Sequence, residues 1–283
     1  MKKLGIPVVV EPGSQPVDED GVVLDYMSMP KEVWTYAMPT VPEPEEVEGL
    51  DAGVGILETI LEKLSAWQPG DAPAVIPLDG LDDDDRLIVD QVLGDGEVSV
   101  IYEGAVRAVS QESVLAGVWR VQYLDADDRV ERDVIEVAEI PSLVSEAVFG
   151  DARPAVEFDA DNIPGGVGNA APILTELADK LAAGSDEPHV VNLTLLPCTD
   201  EDIAFLMNTL GGGPTVILSR GYGNCRITST AVRNIWWVQY FNSQDTLILN
   251  SIEVSRVPAV ACAAAEDIAD SKARLEEILE VYR

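Results

Sequence analysis

Hydrophobic residues recur at helical spacing in two segments of the chain that lie 117 residues apart. In residues 53–66 the apolar side chains Ile56, Ile60 and Leu64 are spaced by four, so they share one face of a helix. Residues 171–183 repeat this spacing. The pattern therefore predicts two amphipathic helices in corresponding places.

Each predicted helix is followed by the same succession of elements. A short apolar strand comes first ("AVIPL" or "VVNLTLL"), and then a second helix that begins after Asp82 or Thr199, both common N-cap residue types. Four β-rich stretches follow in the first copy, near 97–103, 106–114, 117–124 and 130–137, with counterparts in the second. Helices that are segregated from consecutive strands predict an α+β fold with an antiparallel sheet in each copy.

The two copies also match residue by residue. "LGDGEVSVIYEG" from Leu93 matches "LGGGPTVILSRG" from Leu210, and at the same offset Trp119 matches Trp236. No gap is needed between residues 51 and 145, so we predict a tandem duplication of a unit with two helices packed on an antiparallel sheet of about four strands. The predicted divisions are an extended acidic, Pro-rich arm (1–50), repeat 1 (51–150), a linker (151–167) and repeat 2 with a C-terminal helix (168–283).

The segments outside the repeats have their own patterns. "PTVPEPEEVEG" in the arm is too rich in proline for regular structure. Methionine and aromatic residues concentrate in residues 26–38, which favours an arm that lies on a groove. Residues 264–282 predict a terminal helix. The "DDDD" run at 82–85 is interpreted as an acidic helix N-terminus rather than a metal site.

Composition narrows the possible partners. The chain of 283 residues has 18 Lys and Arg against 51 Asp and Glu, a formal net charge of -33. Such a field repels nucleic acid and anionic membranes and is compatible with basic partners. The simpler interpretation of most of these carboxylates is a soluble, self-repelling surface that keeps the protein monomeric. No apolar run is long enough to span a membrane, and the N-terminus is not a convincing signal peptide, so we expect a cytoplasmic protein. An odd count of three cysteines fits a reducing compartment. The single histidine excludes His-rich metal sites.

The copies diverge in the segment "SRGYGNCRITST" (219–230), which aligns with "YEGAVRAVSQES" in the first copy and shares only one glycine with it. From Ile203 through Gln244 the chain has no Asp or Glu. Glycines can turn backbone N–H groups toward a ligand, and arginines are forked donors to carboxylates and carbonyls. Trp237 replaces Arg120 and is expected to be an exposed contact. The predicted partner-binding residues are Arg220, Gly221, Tyr222, Gly223, Asn224, Cys225, Arg226 and Trp237.

A simpler interpretation competes with this one. A buried sheet also excludes carboxylates, its glycines would serve a tight turn, and a lone cysteine in a strand is usually a small core residue. Against this, Arg220 and Arg226 would need partners if they were buried. Cys225 between two arginines is expected to have some thiolate character, which makes it a weak candidate for a metal or sulfur ligand.

The runs "LSRGYGNCRITST", "NIWWVQYFNSQDTLILNSIEV" and "VPAVACAAAEDIADSKARLEEIL" resemble the HupH/HyaF family of hydrogenase expression and formation proteins. The resemblance implies a cytoplasmic accessory protein for membrane-bound uptake [NiFe] hydrogenase. Its implied partners are the iron–sulfur small-subunit precursor, which carries a basic twin-arginine signal segment, and other hydrogenase accessory proteins. The first copy departs from the GYGNCR pattern, so nothing is carried over to it.

The resemblance implies no enzyme, and the chain has no histidine pair, phosphate loop or plausible catalytic triad. We therefore expect an assembly chaperone without cofactor. The alternative is a redox or iron–sulfur delivery protein that uses Cys225 with Cys198 or Cys262. Three sulfurs are fewer than the four cysteines usual for a cluster, so that protein would need an outside ligand.

Overall fold

The computed structural model describes residues 41–220 and 224–282. Its α-helices are α1 (Pro44–Val47), α2 (Asp51–Ala66), α3 (Asp83–Leu93), α4 (Ala170–Ala183), α5 (Asp200–Leu210) and α6 (Ala265–Tyr282). None of the helices in these ranges is long and apolar enough to cross a bilayer. The predicted groove contact of residues 26–38 lies outside the described residues. The expectation of no regular structure in "PTVPEPEEVEG" is wrong for α1, a single turn that proline can begin because its missing N–H is not needed there.

Ten strands form one sheet, and every neighbouring pair in it is antiparallel. The strands are β1 (Ala74–Pro77), β2 (Val98–Glu103), β3 (Arg107–Glu112), β4 (Val118–Leu124), β5 (Val130–Val137), β6 (His189–Asn192), β7 (Gly212–Ser219), β8 (Asn224–Thr230), β9 (Ile235–Phe241) and β10 (Leu247–Val254). Their order is β1-β5-β4-β3-β2-β7-β8-β9-β10-β6. The fold is therefore α+β, as predicted, but the expectation of a separate sheet in each copy is wrong, because β2 and β7 pair.

The β2–β7 pairing is symmetric about its centre. Val100 pairs with Ile217, the residue that lies 117 positions later. On one side Val98 pairs with Ser219, the counterpart of Tyr102. On the other side Tyr102 pairs with Thr215, the counterpart of Val98. Two like units related by a twofold axis would make this register.

The two outer strands break the ungapped match. Val134 pairs with Pro77, whereas Ser251, at the position matching Val134, pairs with Asn192. Residues of β1 and β6 that occupy equivalent places are therefore separated by two residues fewer than equivalent residues in the rest of the sheet. The expectation of one register without gaps is wrong here. The connection from β6 to α5 is correspondingly longer than that from β1 to α3, and it contains the 3-10 turn Leu193–Leu195. β1 and β6 join the sheet, so each half contributes five strands rather than about four.

Three apolar clusters form the core. One cluster lies between α2, α3, α6 and the first-half sheet, and includes Leu57, Ile60, Val118 and Ile135. A second lies between α4, α5 and the second-half sheet. The third covers the opposite face at the centre, where Trp119 and Trp236 are fully buried. The sheet is thus covered by helices on one face and by the segments after β5 and β10 on the other.

Helix α6 follows the second half in sequence but packs on the first. Its Ile268, Leu275 and Leu279 belong to the cluster around α2. Close to its start, a Cβ at Gly117 would lie 2.6 Å from the Ile268 side chain, so the loop before β4 requires glycine there. The C-terminal helix therefore fastens the end of the chain to the first half.

Buried aspartates connect the two helices of each half. Asp82 caps α3 by accepting from the N–H groups of Asp84 and Asp85, as expected of an acidic helix start. Asp85 is not part of a solvated run, because it is buried and accepts from the Gly53 N–H at 2.7 Å. The "DDDD" run thus contains one cap and one bond between helices.

The matching aspartate of the second half is more strongly held. Burial raises the pKa of Asp202, but hydrogen bonds from the backbone N–H groups of Thr199, Ala170, Asn169 and Gly168 outweigh this and hold the pKa at about 2. The start of α4 is therefore tied to the start of α5 by a carboxylate that stays ionised.

The close approach of α2 to α3 gives a matched pair of glycine variants. A Cβ at Gly53 would lie 2.6 Å from the Asp85 carbonyl oxygen, whereas nothing lies within 4 Å of one at Gly55. We expect Gly53→Ala to lower the free energy of unfolding by about 1–3 kcal/mol, and Gly55→Ala to raise it by about 0.4–1 kcal/mol. Urea denaturation measures both, and equal effects of the two changes would contradict this packing.

Glu112 is a buried carboxyl group beside α6. Its Oε1 accepts from the Gly117 N–H at 3.2 Å, and Glu97 and Asp267 lie nearby. Burial raises its pKa to about 7, which the Gly117 hydrogen bond opposes and the two neighbouring carboxylates reinforce. Because the folded-state pKa is raised, Glu112 contributes stability that is present below its ordinary pKa of 4.5 and is lost as the pH rises through 7.

Glu112→Gln should therefore stabilise the protein at pH 8 by about 3 kcal/mol relative to the parent, because the variant carries no charge to bury. This difference should shrink as the pH falls to 5. Denaturation midpoints at both pH values test it, with Glu131→Gln at an exposed carboxylate as the control. A difference that does not change with pH would show that Glu112 is ionised throughout this range.

Candidate functional site

The segment that the sequence singles out is the hairpin of β7 and β8. Ser219 pairs with Cys225, and Leu218 pairs with Arg226. The residues Gly221, Tyr222 and Gly223 lie outside the described residues, so the prediction that they bind a partner stays a prediction. The simpler interpretation holds for much of the strand pair, since Ile217, Leu218 and Ile227 are buried.

Arg220 and Asn224 flank the turn and are both half-buried. The Arg220 N–H donates to the Glu97 carbonyl at 3.0 Å, so the end of β7 is joined to the start of β2. Asn224 pairs with Phe241 of β9. The base of the hairpin is thus held by both halves of the sheet.

Cys225 lies inside the central apolar cluster. It is 3% exposed, and it occupies the position of Ala108, which is also buried. Burial raises the pKa of its thiol to about 11, although a hydrogen bond with Tyr240 acts in the opposite direction. The expectation of thiolate character is therefore wrong, because removal from water outweighs the Tyr240 hydrogen bond, and Arg226 lies on the other face of the sheet.

Arg226 and Trp237 lie on the other face of the sheet from Cys225, because successive strand residues alternate and Trp237 packs with the helices α4 and α5. Arg226 is 5% exposed, and burial lowers its pKa. Trp237 is 8% exposed, and its Nε1 donates to Asn250 Oδ1 at 2.6 Å. The expectation that Trp237 is an exposed contact is wrong, since the helices of the second half cover it.

The first half has a charged network where the second has Trp237. Arg120 is bonded to Asp90 and donates to Asp133 at 2.8 and 3.1 Å, and Arg86 donates to Asp133 at 2.7 Å. At the matching positions the second half has Trp237, Met207, Asn250 and Ile203. The same site between helices and sheet is filled by paired ions in one half, and by an aromatic ring and an amide in the other.

The three cysteines do not lie together. Cys198 packs at the edge of the helix-side cluster, whereas Cys225 and Cys262 belong to the central cluster on the opposite face. Burial raises the pKa of Cys262 to about 12, and Glu139 and Glu253 add to this. Within residues 41–220 and 224–282, no group of three or more His, Cys, Asp or Glu side chains is placed to hold a metal ion.

The sequence interpretation missed a group of exposed apolar residues at the turn end of the second half: Leu195, Leu196 and Ile248. The ungapped match aligned Leu195 with Leu78, which is buried, so its exposure was not expected. The replacement of Glu131 by Ile248 was the available signal.

The sequence also matches the family model described as "HupH hydrogenase expression protein, C-terminal conserved region" over residues 51–153 and 167–282. The chain belongs to the HupH hydrogenase expression protein family. The resemblance noted from the sequence is confirmed. The first matched stretch contains β1–β5, and the second contains β6–β10.

Several relatives of this HupH family member match most of the chain. The hydrogenase expression/formation protein HoxQ of Cupriavidus necator is 46% identical, covering 99% of this chain and 98% of its own. HupH of Rhizobium leguminosarum is 44% identical over 77% of this chain and 76% of its own, and the hydrogenase-1 operon protein HyaF of Escherichia coli is 30% identical over 95% and 94%. The solved HupH of Thiobacillus denitrificans is 30% identical, covers 39% of this chain and 93% of its own, and has a TM-score of 0.37.

The burial of Cys225 predicts a slow reaction with iodoacetamide. A pKa of about 11 instead of 9 leaves about 100-fold less thiolate at pH 8, and burial adds a steric barrier. We expect Cys225 in the folded protein to be alkylated at least about 100-fold more slowly than in urea, as measured by peptide mass spectrometry. Equal rates in the folded and unfolded protein would mean that the β7–β8 hairpin opens readily.

Proposed function

We propose that this protein is a cytoplasmic accessory protein that binds the iron–sulfur small-subunit precursor of membrane-bound uptake [NiFe] hydrogenase before export. The observation that carries the hydrogenase role is full-length similarity to proteins named for hydrogenase expression and formation. The net charge of -33 supports a basic client, because opposite charge steers association. The basic twin-arginine segment of such a precursor is a client of that kind.

We also propose that the two halves arose by tandem duplication and that the second one was specialised for the client. The bounds of α3 and α5, and those of β5 and β10, are each separated by the same 117 residues. The symmetric β2–β7 register further supports a common origin. Because the fold is needed in both halves but a binding site only in one, the site should lie where the halves differ.

In this proposal the turn end of the second half faces the client. Among the described candidate residues, Arg220 and Asn224 flank the turn and are half-buried, so parts of their side chains are accessible. Cys225 and Arg226 are buried in β8 and Trp237 is buried in β9, so they would act through the shape of these strands. Arg220 is therefore the side chain proposed to contact the client, at the position where the first half has Glu103.

The burial of the thiols does not favour iron–sulfur delivery through Cys225. A metal-binding or sulfur-carrying cysteine needs its thiolate and access to the donor. Cys225 has neither, because it is 3% exposed and its pKa is raised to about 11. We therefore propose a binding role, for which a colourless protein after anaerobic purification is the expected spectrum.

The proposed function predicts a salt-dependent complex. The purified protein should bind the purified small-subunit precursor, and its association rate constant should fall by about tenfold or more between roughly 50 and 500 mM salt, because screening shortens the reach of charge. Biolayer interferometry measures the rate.

The control for this experiment is the mature small subunit without its signal segment, which should bind more weakly and with less salt dependence. No binding of the precursor would refute the proposed function. Equal binding of both forms would confine the client surface to the folded part of the subunit.

A further inference from the structure

Three apolar side chains near the turn end of the second half are exposed. Leu195 is 80% exposed, Ile248 is 56% exposed and Leu196 is 40% exposed. We call them the turn-end patch. Single exposed leucines are ordinary on protein surfaces, but grouped ones often mark a binding surface.

Two backbone features build the patch. The β9–β10 ladder passes from Leu247–Phe241 to Leu249–Tyr240, so Ile248 is the extra residue of a β-bulge. A bulge re-aims its side chain and interrupts pairing. The Leu193–Leu195 turn packs on β10, where Thr194 Oγ1 accepts from the Asn250 N–H at 2.7 Å, and this contact places Leu195 beside the bulge.

The first half shows that the fold does not require apolar residues at this end. Its β4–β5 ladder has the same bulge, and the extra residue there is Glu131, which is exposed. Its β4–β5 turn, residues 125–129, carries three aspartates and an arginine, whereas residues 242–246 of the second half carry one aspartate. The second half has thus lost charge at this end and has gained exposed Leu195 on a longer connection.

The surroundings of the patch indicate the chemistry of its partner. Asp200 and Glu201, at the start of α5 shortly after Leu196, are exposed. Residues 195–210 contain no lysine or arginine. A second copy of this chain is disfavoured because each copy carries a net charge of -33. A complementary partner presents apolar side chains next to basic ones.

We propose that the turn-end patch is the docking surface for an apolar protein segment flanked by lysine or arginine. This inference rests on the proposed function where the segment belongs to the small-subunit precursor. Leu195 and Ile248 would contact the apolar stretch, and the carboxylates of Asp200 and Glu201 would face the basic flank.

The test compares variants that add the same charge in the two halves. Leu195→Glu and Ile248→Glu alter the patch, and the second of these installs the residue of the first half. Val130→Glu and Leu87→Glu are the matched controls, because these first-half side chains are 49% and 52% exposed. Two probes are titrated against full-length protein: the precursor, and a synthetic peptide with two arginines before an apolar stretch of about ten leucines and alanines, a length too short to span a membrane.

We expect each patch variant to weaken binding of both probes at least tenfold and each control to change it less than threefold, with unchanged thermal midpoints. A peptide with two glutamates in place of the arginines should bind at least tenfold more weakly. If the precursor binds and the patch variants bind it equally well, the docking surface is wrong while the proposed function stands.

If the precursor does not bind but the arginine peptide does, and Ile248→Glu removes that binding, the proposed function fails and the docking surface stands. If neither probe binds, both are refuted. Self-association that is abolished by Ile248→Glu would show instead that the patch joins two copies, and would overturn the inference.

Discussion

The pairing of β2 with β7 is the interaction on which the rest of the structure depends. Without it each half would be a five-stranded sheet with a long exposed edge, and such edges promote aggregation. The pairing also buries Val100 and Ile217 in the cluster that contains Trp119 and Trp236. One set of strand hydrogen bonds therefore closes both edges and completes the central core.

The β2–β7 pairing, or seam, does not involve the helix-covered faces of the two halves, so these faces are free to differ. Between helices and sheet, the first half has the bonded pair Arg120 and Asp133. The second half has the bonded pair Trp237 and Asn250 at the matching positions. In both halves the buried polar side chains bond to each other, and replacing buried ion pairs by well-packed residues is often neutral for stability. Divergence at this position therefore says little about function, although the sequence change from arginine to tryptophan is large.

Periodicity and internal matching predicted the helices and strands, because alternation and helical spacing report directly on burial. They did not predict that the sheets merge, since edge pairing leaves no local pattern in β2 or β7. The shifted ladder of β6 was also missed, because two compensating changes in loop length leave the flanking matches intact. At the candidate site, the burial of Cys225 and Trp237 could not be inferred from neighbouring charges, because it depends on the segments that cover each face.

The antiparallel seam has a geometric consequence for the site. Because β2 and β7 run in opposite directions, the turn end of the first half and that of the second lie at opposite ends of the strands. The charged turn of residues 125–129 is thus kept away from the patch around Ile248, and one can change without altering the other. At the turn end of the second half, the Arg220 N–H donates to the Glu97 carbonyl, so the β7–β8 hairpin is anchored on the first half. In the proposed complex, a client that contacts Arg220 would therefore meet a hairpin that the strands of both halves hold in place.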